Sequence, residues 1–224
     1  MDSADQPQLD AGTIQLSSQG GGGASTLTLS ATTVAAGAAL TGTVAAGSGA
    51  VVYLDFPRTV LAGPRFVRIP AGQSSATFAL FASPFLAAPA TATVTAMTTT
   101  PNPASFLTAS LTVLPAAAPA ARPQAASLAL APASVASGAA ATATLTLTGP
   151  APAGGAAVQV WIANDFFGLD ADAPPVVVVP EGATSVAFTV RTHLSSGSGT
   201  VGETVVASLF GGTIQAAILT VAGP

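Results

Sequence analysis

Oxygen-bearing side chains crowd one stretch of this 224-residue chain, NDFFGLDADAP, where Asn164, Asp165, Asp170 and Asp172 are followed a little later by Glu181. Hard carboxylate and amide oxygens gathered on a loop are the donors that Ca²⁺ takes. The spacing departs from the EF-hand loop, and a solvated turn whose aspartates bind their own backbone explains the same residues. The turn is the favoured reading, and Ca²⁺ at Asp165, Asp170 and Asp172 is the single cofactor the sequence suggests. Nucleophilic chemistry has less to draw on. There is no cysteine and one histidine, His193, in RTHLSSGSG. A lone histidine cannot build a multi-histidine metal centre, and no G-x-S-x-G elbow is present to strain a serine. His193 reads as an exposed loop residue and the chain as a non-enzyme. Phe166, Phe167 and Trp161 beside the acids have the chemistry of a sugar or protein contact. Core packing is the commoner use, since Trp161 and Ile162 lie on a strand that must turn one of them inward.

Cations are few and unevenly placed. All five are arginines, and three of them, Arg58, Arg65 and Arg68, stand against Asp55 in the first half. The N-terminal segment, with Asp2, Asp5 and Asp10, carries −3, and the second half, with Asp165, Asp170, Asp172, Glu181 and Glu203 against Arg191, carries −4. Plain solvation explains any one of these charges. As a set, the polarity permits head-to-tail contact between chains through Arg58, Arg65 and Arg68, or contact of the acidic segment with the first half. Three arginines without interleaved aromatics are too few for nucleic acid.

The elements that must position these residues are strands. In SSATFAL, Ala76, Phe78 and Leu80 alternate with Ser75, Thr77 and Ala79, and in SVAFTV, Val186, Phe188 and Val190 alternate likewise. Period-two runs bounded by Gly and Pro mark half-buried strands. PAGQ and PEGA sit between such runs and read as hairpin loops. No stretch has the periodicity of an amphipathic helix.

Charged residues make up 6% of the chain, against roughly 25% in an ordinary soluble domain. Disorder is excluded because half of the residues are hydrophobic and the net charge is only −4. The charge-free stretch from Pro123 to Asn164 is too interrupted by Pro, Gly and Thr for a transmembrane helix, and one Trp with one Tyr cannot form the aromatic girdles of a membrane barrel. A weakly charged surface of Ala, Thr, Ser and Gly favours self-association. Met1 to Asp10 has neither a basic nor an apolar region, so no Sec signal peptide is expected there. Either the leader was removed, or export takes another route, or the protein is not exported.

The chain repeats itself. STLTLSATTVAAG is answered by ASLALAPASVASG, and VRIPAGQSSATFAL by VVVPEGATSVAFTV; Gly72 pairs with Gly182 and Phe78 with Phe188 at an offset of 110. The expected organisation is an N-terminal extension over 1–23, a β-sandwich over 24–115, a semi-stiff Pro/Ala linker over 116–125 and a second β-sandwich over 126–224. Each unit should hold about seven short strands. The residues Val135, Gly138, Thr144 to Leu147, Val158, Val160, Val179-Pro180, Gly182, Ser185, Phe188 and Val190 carry a resemblance to bacterial immunoglobulin-like repeats, the tandem modules of large surface and adhesin proteins. Unit 1 follows the pattern less closely, and nothing before Ala24 shares it.

The resemblance implies two tandem immunoglobulin-like sandwiches, an extracellular or cell-surface location, and spacer, stalk or adhesive roles rather than catalysis. The extension adds a more specific expectation. GTIQL (Gly12 to Leu16) reads as a strand with no sheet, tethered by Gly20 to Gly23. Thr13, Ile14 and Leu16 are the expected donor-strand residues by which one chain adds to a neighbour's open sheet edge in a homo-oligomer or filament. The alternative is a spacer, or an adhesive or carbohydrate-binding module, of a larger surface protein whose partner is a host or matrix protein or glycan.

Overall fold

Alternating Thr, Ala and Val residues, which suit a pleated and half-buried surface, form strands throughout the computed structural model. It describes residues 24–98, 106–116, 121–163, 171–193 and 199–223. The first unit holds β1 (Thr26–Leu29), β2 (Thr33–Ala35), β3 (Ala39–Ala45), β4 (Val51–Asp55), β5 (Leu61–Ala62), β6 (Phe66–Arg68), β7 (Ser75–Ala82), β8 (Ala90–Thr98) and β9 (Leu107–Leu114). The second holds β10 (Ala125–Ala131), β11 (Ser134–Ala136), β12 (Ala140–Leu147), β13 (Ala156–Ile162), β14 (Ala171–Asp172), β15 (Val176–Val179), β16 (Ser185–Thr192), β17 (Thr200–Ser208) and β18 (Ile214–Ala222).

Each unit stacks two sheets. In the first, β1-β3-β7-β5 faces β2-β9-β8-β4-β6; in the second, β10-β12-β16-β14 faces β11-β18-β17-β13-β15. All pairings are antiparallel except β2 with β9 and β11 with β18. The leading strand of each unit is thus split across both sheets, and the layout is that of an immunoglobulin-like sandwich. Among the described residues each unit has nine strands rather than about seven. The split adds one, and the connections from β4 to β7 and from β13 to β16 each carry two short strands.

One expectation is corrected. PAGQ and PEGA are not hairpin loops, because β6 and β7 lie in opposite sheets, as do β15 and β16. Each is a tight turn, closed by Gln73 N–H donating to the Pro70 carbonyl and Ala183 N–H to the Pro180 carbonyl, both at 3.0 Å. Gly72 and Gly182 take φ of 80° and 74° at the third position, as a type II turn demands. The turns carry the chain across the sandwich edge.

Inward residues form two cores. Val44, Val52, Leu80, Val94 and Val113 centre the first, and Leu145, Val158, Val190, Val205 and Leu219 the second. Phe78 lies opposite Gly42 on β3, and Phe188 opposite Ala143 on β12. A Cβ at Gly42 would fall within the Phe78 ring.

Candidate functional site

A strand with one face in a core buries every second residue, and β4 does so at Val52 and Leu54. Its counterpart β13 is buried continuously from Ala156 to Val160. Val158 and Val160 point into the second core, so Ala157 and Gln159 point away from it and must be covered by something else. The cover is unit 1. Gln159 is 2% exposed, and its Nε2 donates to the Gly63 carbonyl at 3.0 Å, just beyond β5. Ala62 belongs to the second core, and Phe81 and Phe85 pack against it.

The hairpin between β17 and β18 completes the joint. Gly212 N–H donates to the Leu209 carbonyl at 2.9 Å, and Phe210 and Gly211 have φ of 44° and 70°. That is a type I′ turn, whose first central position favours Asn, Asp or Gly. Phenylalanine is strained there, yet its ring is fully buried and meets Phe85 edge-on with centroids 5.9 Å apart. Arg122 covers Phe85 at 5.6 Å and donates from Nη2 to the Phe210 carbonyl at 3.0 Å. Gln124 Oε1 accepts from the Thr213 backbone N–H at 3.1 Å and bonds its hydroxyl at 3.0 Å. The end of the segment read as a linker is therefore fastened to the second unit.

Beside this joint the two units leave a cleft of about 550 Å³. Unit 1 lines it with Tyr53 and Asp55 of β4, Phe66 and Arg68 of β6, and Arg58 and Arg65 from the connection; unit 2 contributes Trp161, Ala163, Asp172 and Pro175. The Arg65 guanidinium lies 4.2 Å from the Trp161 ring centre, and Arg68 lies 5.6 Å from Phe66. Arg58 rests on Phe56 at 5.5 Å, and its Nη1 is buried with no hydrogen-bond partner among the described residues. Arg65 is exposed, and its guanidinium lies over the ring. Burial first, and the charge of Arg58 second, hold its pKa below the ordinary arginine value.

The structure brings Arg58, Arg65 and Arg68 together on one cleft inside a single chain. Of Trp161 and Ile162, it is Ile162 that packs against the second core, and Trp161 is half-buried at the cleft. Asp172 is exposed, pairs in register with Arg191 and reaches the cleft rim. Asp165 and Asp170, and the extension residues Thr13, Ile14 and Leu16, lie outside the described residues. Among the described residues no group of three potential metal ligands occurs. His193 is exposed, and its carbonyl accepts from Ser137 Oγ at 2.9 Å. Gln159, Phe85 and Phe210 escaped the sequence reading. The unbroken apolar setting of Gln159 in AAVQVWI was the available signal of a strand covered on both faces.

No family model matches the chain, and no curated protein matches it. Among solved structures, the D00-D0 domain of Intimin is 12% identical, with 87% of this chain and 99% of that chain covered at a TM-score of 0.32. A chaperone-tip adhesin complex of CFA/I fimbriae biogenesis is 14% identical over 87% of this chain and 100% of that chain, at 0.32. The calcium-binding domain CBD12 of CALX1.1 is 13% identical over 79% and 76%, at 0.29. Likenesses this distant carry neither ligand nor assembly over to this chain, and the immunoglobulin-like assignment rests on its own strand order.

Proposed function

We propose that this chain is a non-enzymatic structural protein of the bacterial cell exterior, in which two immunoglobulin-like sandwiches act as one stiff spacing unit of a larger surface assembly. The observation that carries this reading is the joint. Gln159 spans the two units with a buried hydrogen bond, and Phe85 and Phe210 interlock beside it. Loosely strung domains move independently, whereas an apolar interface fixes their relative orientation.

Self-assembly through the N-terminal extension extends the proposal. Thr13, Ile14 and Leu16 supply the donor strand, and β1 and β10 each have a neighbour on one side only among the described strands. Unpaired strand edges are templates for strand addition. Ile214 and Ile218 add an apolar row on the outside of β18, where they are 61% and 63% exposed. Small-angle scattering together with light scattering of the full chain tests both parts. The expected profile fits one fixed arrangement of the two units, with concentration-dependent oligomers that vanish on deleting residues 1–23 and in Ile14→Asp. A profile that requires many relative orientations would reject the stiff unit. Oligomers that survive both changes would reject the donor strand.

A further inference from the structure

We propose that the cleft between the two units binds an acidic sugar, a saccharide unit bearing a carboxylate or a sulfate. This goes beyond the spacing role and does not depend on it.

The charge balance of the walls is the first ground. Arg58, Arg65 and Arg68 share the unit 1 wall with Asp55 and face Asp172 on the unit 2 wall, so the described lining is net positive. None of the three arginines forms an ion pair with a described residue, and Arg58 Nη1 is buried without a partner. A guanidinium presents a fixed fork of N–H donors that matches a planar carboxylate or a sulfate.

The second ground is that the walls are not purely cationic. Tyr53, Phe66 and Trp161 bring flat apolar surface, and the two aspartates bring acceptors. An acidic sugar answers all three features. Its anion meets the arginines, its hydroxyls donate to Asp55 and Asp172, and the C–H face of its ring lies on the aromatics. A nucleotide or an acidic peptide also brings an anion to the arginines, but the several hydroxyls and the C–H ring face of a sugar match the aspartates and the aromatics together. The volume of about 550 Å³ lies within the range of small-molecule sites.

Calorimetric titration of the full chain tests the assignment with four probes: a uronate disaccharide, a sulfated disaccharide, a neutral disaccharide and sodium sulfate. The expected result is saturable binding of at least one acidic disaccharide, weakened by added salt, and no binding of the neutral one. The uronate and sulfated probes decide which anion is preferred. Arg58→Gln and Arg68→Gln should each weaken binding by about tenfold or more, the loss expected for one charged hydrogen bond. Arg68 is exposed, so Arg68→Gln keeps its fold, and an unchanged melting temperature verifies this. Failure of both acidic disaccharides to bind would overturn the proposal, as would equal binding of the neutral disaccharide. Sodium sulfate binding as tightly as the sugars would overturn the sugar and leave an anion hole. Folded arginine variants that bind like the parent would move the site elsewhere. Binding that emerges only after Asp165→Asn and Asp170→Asn would also overturn it, because the chain would then supply its own anion.

Discussion

Phe78 lies over a bare backbone at Gly42, whereas Phe188 lies over the methyl group of Ala143. The two units solve one packing problem in two ways. In the first, the aromatic ring takes the space that a side chain would fill; in the second, the small methyl group of Ala143 stands opposite the ring. Gly42→Ala would place a carbon inside the ring, so Phe78 must leave its rotamer. Overpacking of this kind costs about 1–3 kcal/mol, and urea unfolding of the full chain should register a loss of that size. The pairing of Phe78 with Phe188 was legible in the repeat, because both stand six residues after a glycine in matching strands. The Gly42 contact was not, because a cross-strand partner is set by register, which local alternation does not specify.

At the scale of elements, the short turns before β7 and β16 do the topological work. Each lets the chain leave one sheet and start the other across five or six residues, and each depends on a glycine in the left-handed region. Around Gly182 a Cβ would meet no atom within 4 Å, so Gly182→Ala isolates the backbone term from packing. The expected loss is about 1–2 kcal/mol, read as a lower unfolding midpoint with an unchanged slope. From the sequence these turns were recognisable as turns, since Pro and Gly punctuate them. That they join sheets rather than neighbouring strands was not recognisable, because a type II turn serves either connection. β13 teaches the same limit. Its residues announced a strand, and the apolar setting of Gln159 hinted at double burial, but the Gly63 carbonyl that receives Gln159 lies 96 positions away. The arginines of the cleft stood out by type and clustering. Their convergence with Trp161 depends on how the two sandwiches dock.

For the whole molecule, Phe210 separates local folding from docking. Its backbone conformation opposes a bulky residue, and its ring favours the interface, so the two effects have opposite signs. Phe210→Asn relieves the turn but leaves Phe85 without its partner. Removing a buried phenylalanine costs about 3–5 kcal/mol, whereas the strained conformation costs about 1–3 kcal/mol. The full chain should therefore be destabilised by roughly 2 kcal/mol, the difference between those ranges. A segment covering residues 121–224, which has no unit 1 to receive the ring, should be stabilised by the same change. Differential scanning calorimetry of both proteins, with and without the substitution, reads the two signs directly.

The covered face of β13 also sets a valence. Where unit 2 turns Ala157, Gln159 and Trp161 outward to receive its neighbour, unit 1 turns out Val51, Tyr53 and Asp55, beside a hydroxyl pair formed by Thr93 and Ser110 at 3.0 Å. A further copy seated there by the same joint would meet a face whose Tyr53 and Asp55 already line the cleft with unit 2, and it would find no Gln159 amide to bridge it. This joint can be used once and does not propagate, so any growth into longer assemblies must proceed through a surface of a different kind.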